Sequence, residues 1–198
     1  GGERAITQSI EGAEDDSAAG RDELLALDLT SNDSVVGIAA SGRTPYVIGA
    51  LQAANGIGAF TAAVTCNADA PMLSHAEVGI VALVGAEVIT GSTRLKSGTA
   101  QKLILNMLST ATMIKLGKVY GNLMVDVMVT NQKLGERACR IISEITGVDT
   151  ATAEDLLQRT DNEVKTAIVV AMLGITPNEA RERLKAHDGM LAKVIQPD

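Results

Sequence analysis

The chain has 198 residues, 46% hydrophobic and 21% charged, with a formal net charge of −7. This is the composition of an ordinary globular protein, large enough for one good core or for a core with a small appendage. The negative charge disfavours a generic phosphate-backbone binder, which needs a basic face. With aromatic residues at 2% and no Trp, stacking on nucleic-acid bases is also disfavoured. Neither excludes a pocket that holds one small phosphate through backbone N–H groups and a few cations. No apolar run reaches membrane-spanning length and no signal peptide is visible, so neither nucleic acid nor membrane is expected as a partner. The chain opens on Gly1-Gly2-Glu3 without a Met, which reads as a piece of a longer protein or a cloning scar.

In chain order, residues 3–11 read as a short helix, 12–20 ("GAEDDSAAG") as an acidic turn and 21–28 as a second short helix. "LTSNDS" is a turn cluster; its Asn32-Asp33-Ser34 matches a glycosylation sequon, taken as coincidence without a secretory context. "VVGIAA" (35–40) is a short continuous apolar run that suits a strand covered on both faces. Residues 44–56 read as a helix, with Thr44 as N-cap, Pro45 at the first helical position and Gly56 as the stop. Strands are predicted at 61–66 and 79–85. Alternating short apolar strands and helices imply a parallel sheet with helices on its faces, an α/β fold. Two long helices are expected next, one within 92–117 and one over roughly 121–146, stopped by Gly147. Three short helices, at 151–159, 162–173 and 177–187, then suggest a small bundle, the last opened by the capping box Thr176-Pro177-Asn178-Glu179. The expected domains are therefore 1–147 and 148–198.

Cys66 and Cys139 read as reduced core residues. His75 and His187 read as surface or packing residues, with no metal-ligand spacing to each other or to the cysteines, and no metal is expected.

Three stretches could carry chemistry. In "SVVGIAASGRTPYV" a strand ends in Ser41, Gly42, Arg43 and Thr44 and runs into a helix N-terminus. Ligands of parallel sheets bind beyond the carboxyl ends of strands, and a helix N-terminus presents unpaired N–H groups at the positive end of its dipole. These are parts for a phosphate; the competing reading is a helix cap in which Ser and Thr serve only the helix. In "EGAEDD" (11–16) four carboxylates crowd six residues. Either they form a solvated acidic turn or one faces a pocket as a general acid or base; the residues alone do not choose between Glu11 and Glu14. In "VGAEVITGSTRLKSGTAQK" (84–102), Glu87, Thr90, Ser92, Thr93, Arg94 and Lys96 crowd a connector, and Ser97 or Thr99 could cap the helix that follows. That polar density suggests a binding loop, against a long capped approach to a helix.

Together with "GKVYGNLMVDV", these stretches resemble the N-acetylmuramic acid 6-phosphate etherase family of the sugar-isomerase (SIS) superfamily, over essentially the whole chain. The resemblance implies a parallel sheet flanked by helices and a small C-terminal bundle similar to ubiquitin-associated modules. It implies a carbon–oxygen lyase that cleaves the D-lactyl ether of N-acetylmuramic acid 6-phosphate by elimination and water addition. The products are D-lactate and N-acetylglucosamine 6-phosphate. It further implies no metal or nucleotide cofactor, a cytoplasmic homodimer and a place in cell-wall amino-sugar recycling. Residue by residue, the second Glu of "EGAED" is an acid/base residue in the family and matches Glu14; Glu11, Asp15 and Asp16 are neighbours able to tune it. Ser41, Gly42, Arg43 and Thr44 match the family's sugar-phosphate turn. Glu87, Ser92, Arg94 and Lys96 fall in a motif shared with glucokinase regulatory protein, a non-catalytic sugar-phosphate sensor and the alternative reading. The family also has a preceding segment with a Gly-rich phosphate loop and another catalytic Glu. Neither is among these residues, so little turnover is expected from them alone. An aldose–ketose isomerase accounts less well for "GSTRLKSGTAQK", and an oligomerisation domain whose long helices only mediate assembly is the bland alternative.

Overall fold

The computed structural model describes residues 1–196, which form two compact units, Gly1–Asn106 and Met107 onward. A 3-10 turn at Glu3–Ile6 and another at Ala13–Asp15 lead into α1 (Ser17–Leu25). Then come β1 (Ser34–Ile38), α2 (Pro45–Ile57), β2 (Phe60–Thr65), a 3-10 turn at Pro71–His75 and β3 (Val78–Val81). The sheet order is β1-β2-β3, all parallel, with Val36 opposite Ala62 and Ala62 opposite Val78. This bears out the α/β reading. Helix α2 and the turn at Pro71–His75 cover one face of the sheet, where Leu51 and Met72 are fully buried.

Three local expectations are corrected. The helix expected over 3–11 is only a single 3-10 turn. The acidic turn expected at 12–20 gives way to helix from Ser17, because Asp16 caps it by accepting the N–H of Ala19 at 2.9 Å. Helix α2 stops at Gly58, in the left-handed conformation (φ 82°), rather than at Gly56.

Helix α3 (Lys96–Lys115) runs through the division between the units. Beyond it, β4 (Val119–Tyr120) and β5 (Leu123–Met124) form an antiparallel hairpin turned at Gly121 (φ 59°). The helix expected from residue 121 therefore begins only at α4 (Gln132–Thr146), after a stretch rich in β-branched residues that resists helix. Asn131 caps it by accepting the N–H of Leu134 at 3.0 Å. The remaining helices are α5 (Thr150–Arg159), α6 (Val164–Leu173), α7 (Pro177–Ala186) and α8 (Leu191–Ile195). Their core includes Val125, Ile142, Ile168 and Leu191. Asp149 caps α5, and the expected capping box of Thr176 and Glu179 is present. Cys66 and Cys139 are free thiols, half-buried and buried. No helix among the described residues is long and apolar enough to cross a membrane.

Candidate active site

Ser41, Gly42, Arg43 and Thr44 emerge from the carboxyl end of β1 and lead into the first turn of α2. The turn is held from the adjacent strand. The N–H of Cys66 and the hydroxyl of Thr65 both donate to the Ala40 carbonyl, at 2.9 and 3.2 Å, and Asn67 Nδ2 donates to the Ser41 carbonyl at 3.4 Å. Gly42 is buried with φ 66°; a Cβ there would stand 2.3 Å from Ala70 Cβ and 2.8 Å from Thr65 Oγ1. Only glycine fits both the conformation and the space.

The hydroxyls of this turn are not consumed by the helix. Thr44 occupies the N-cap position, but its side chain makes no capping hydrogen bond. Ser41 Oγ accepts the N–H of Arg43 at 3.3 Å, which curls the backbone without touching α2. Among the described residues, the N–H groups of Tyr46 and Val47 in the first turn of α2 have no hydrogen-bond partner. Two free amides, a free hydroxyl and the exposed Arg43 guanidinium stand at the positive end of the α2 dipole.

Helix α1 brings Glu14 to the same place. It crosses α2 with almost no gap: a Cβ on Gly20 would lie 2.0 Å from the Tyr46 carbonyl oxygen, and one on Gly49 2.1 Å from that of Ser17. Tyr46 Oη donates to Glu23 at 2.6 Å, and this hydrogen bond holds the phenol pKa above its ordinary value. The crossing sets the 3-10 turn that carries Glu14 beside the start of α2. Glu14 and Thr44 consequently line one cavity of about 280 Å³, with Tyr46, Ser9, Gln8 and Ala13. The acidic run divides its labour: Asp16 caps α1, Glu11 accepts the Ser9 hydroxyl at 2.9 Å, and Glu14 faces the cavity. Glu14 is exposed.

The connector after β3 behaves differently. Glu87 reaches forward to the start of α3, where Oε2 accepts the N–H of Lys96 at 3.1 Å and Oε1 that of Ser97 at 3.0 Å. These two backbone hydrogen bonds, Ser97's being the larger influence, hold the Glu87 carboxyl below its ordinary pKa. The next two amides are also satisfied: Gly98 donates to the Thr93 carbonyl at 3.2 Å and Thr99 to that of Leu95 at 2.9 Å. The N-terminus of α3 is thus closed by the protein's own carboxylate, while that of α2 is open. Neither Ser97 nor Thr99 is the N-cap, since α3 already begins at Lys96. Ser92 is half-buried, and Arg94 and Lys96 are exposed.

Tyr46, Thr65 and Asn67 were not singled out from the sequence. A Thr and an Asn at the carboxyl end of a parallel strand were the available signal for two of them. Among the described residues no group of His, Cys, Asp and Glu could hold a metal ion.

Residues 1–55 match the family described as glucokinase regulatory protein N-terminal SIS domain, and residues 121–163 the C-terminal lid domain of glucokinase regulatory protein. Over 98% of its length the chain is 59% identical to a protein of Serratia proteamaculans named N-acetylmuramic acid 6-phosphate etherase. Proteins of the same name from Pectobacterium atrosepticum and Yersinia pestis are 56% and 58% identical over the same span. The chain covers 66%, 64% and 66% of these relatives' own lengths. Over nearly all of its residues, the chain is a homologue of the proteins named N-acetylmuramic acid 6-phosphate etherase.

Proposed function

We propose that this chain is the greater part of an N-acetylmuramic acid 6-phosphate etherase, a lyase of cell-wall amino-sugar recycling. The observation that carries the reading is the cavity that joins Glu14 to Thr44 at the open N-terminus of α2. The sugar 6-phosphate takes the free amides of α2, the Thr44 and Ser41 hydroxyls and Arg43. In the open-chain sugar the C1 aldehyde acidifies the C2 proton. Loss of that proton forms the C2=C3 double bond as the C3–O ether bond breaks, and the departing oxygen of D-lactate takes up a proton. Water then adds across the double bond and leaves N-acetylglucosamine 6-phosphate. Glu14 serves as an acid/base residue in this sequence, a task that needs a carboxyl within reach of the reacting atoms. No metal or cofactor enters the proposed route.

The connector residues Ser92, Arg94 and Lys96 are assigned to the sugar-phosphate site as its second loop, which Glu87 of the same motif closes onto α3. The small helical domain expected over 148–198 is assigned α4 as well, because Ile142 shares one core with Ile168 and Leu191 and the compact units divide at Asn106 and Met107. A cytoplasmic homodimer completes the reading. The likeness to glucokinase regulatory protein covers two segments, whereas that to the etherase-named proteins covers 98% of the chain. This favours the enzyme over the regulator. Titration with N-acetylglucosamine 6-phosphate, followed through the amide resonances of residues 41–44, 46 and 47, tests the site. Saturable shifts that disappear in Arg43→Ala and Ser41→Ala support it; shifts that persist unchanged in both variants refute it.

A further inference from the structure

A connector of polar residues between a strand and a long helix has two obligations. It must satisfy the first amides of the helix, and it must hold any ligand-binding side chains in place. Helix α3 has no capping side chain of its own, because Leu95 stands before its first residue. Glu87, nine and ten residues upstream of its two partners, supplies both acceptor atoms instead. The bond pair closes the chain from 87 to 97 into a loop, inside which lie Thr90, Ser92, Thr93 and Arg94. Within it, Ser92 donates its N–H to the Ile89 carbonyl at 3.0 Å and Gly98 closes on Thr93 at 3.2 Å. The residue is half-buried, and both carboxylate oxygens are engaged.

We infer that Glu87 is a positioning residue: it pins the 87–97 loop to the N-terminus of α3 and so fixes Ser92 and Arg94, without contacting substrate itself. This rests on the reading of that loop as part of the sugar-phosphate site. A carboxylate in direct contact with an anionic ligand would oppose it; one spent on two amides leaves the positive charge of Arg94 uncompensated for the ligand. Of the two helices that follow β1 and β3, α3 thus has a closed N-terminus and α2 an open one.

The test uses the chain itself with Glu87→Ala, Glu87→Gln and Arg94→Ala, and has two readouts. The first is residue-resolved amide exchange without ligand. Lys96 and Ser97 are expected to exchange at least about tenfold faster in Glu87→Ala, with Glu87→Gln, which keeps one acceptor oxygen, in between. The second is affinity for N-acetylglucosamine 6-phosphate in a double-mutant cycle. Glu87→Ala is expected to weaken binding severalfold in the wild-type background and to have little effect when Arg94 is already Ala. A purely structural cap gives the exchange result without that non-additivity. Unchanged exchange at Lys96 and Ser97, or an equal loss of affinity in both backgrounds, overturns the positioning role and leaves the sugar-phosphate reading standing. No binding by the unsubstituted chain overturns both, and faster exchange would then leave Glu87 as a cap alone.

Discussion

The α1–α2 crossing can be tested with one methyl group. In Gly49→Ala the new Cβ would lie 2.1 Å from the Ser17 carbonyl oxygen, 2.6 Å from its Oγ and 2.9 Å from its carbonyl carbon. Ordinary contact begins at 3.4 Å, so α1 must retreat by more than 1 Å, and no rotamer change relieves a backbone clash. Overpacking of this kind costs about 1–3 kcal/mol, against about 1 kcal/mol gained by Ala over Gly in a helix interior. A net loss of up to about 2 kcal/mol is expected. Gly56 in the same helix is the control: a Cβ there meets nothing within 4 Å, so Gly56→Ala should be neutral or stabilise by up to about 1 kcal/mol. Urea unfolding followed through amide resonances of the first unit separates it from the second. Because α1 delivers Glu14 to the cavity, Gly49→Ala should also weaken sugar-phosphate binding, and Gly56→Ala should not. Equal stabilisation by both substitutions would refute the close crossing and the placement of Glu14 that follows from it.

Further outcomes follow from the same geometry. Gly42→Ala meets both a left-handed φ and a contact of 2.3 Å; it should lose at least about 2 kcal/mol and abolish the shifts of residues 41–44, 46 and 47 with sugar phosphate. Asp16→Ala should cost about 1 kcal/mol through loss of the α1 cap, whereas Asp16→Asn should retain both stability and binding, which separates capping from acid chemistry. The second unit should lose stability in acid. Asp149 and Glu179 are held below their ordinary values of 3.8 and 4.5 by hydrogen bonds from the Thr152 and Thr176 backbones. Their contributions are complete above the unfolded values and disappear as pH falls through the lower folded ones. Urea midpoints of that unit measured from about pH 6 to about pH 3 should fall, and the slope should be shallower in Glu179→Gln.

The sheet was legible because its strands are short apolar runs bounded by turn residues. Thr176 and Glu179 announced α7 because a capping box is a local hydrogen-bond pattern written within four residues. What was illegible depended on distance in sequence. Glu87 looked like a ligand-binding acid because its partners lie nine and ten residues away, at a helix end that cannot be located from spacing. Tyr46 read as helix filling, since its partner Glu23 lies on another helix. Thr44 read as an N-cap on residue type, yet its hydroxyl is free; preference for a position does not fix the side-chain rotamer. The division of the acidic run among Asp16, Glu11 and Glu14 required the crossing at Gly20 and Gly49, and a glycine in a helix does not say what lies against it.

The most direct test of the central claim is D-lactate release from N-acetylmuramic acid 6-phosphate by the intact protein, with Glu14→Gln beside it. Release by the unsubstituted protein that collapses by at least about a hundredfold in the variant, with sugar-phosphate affinity retained, is the predicted result. Absence of release, or equal release by both proteins, would contradict it.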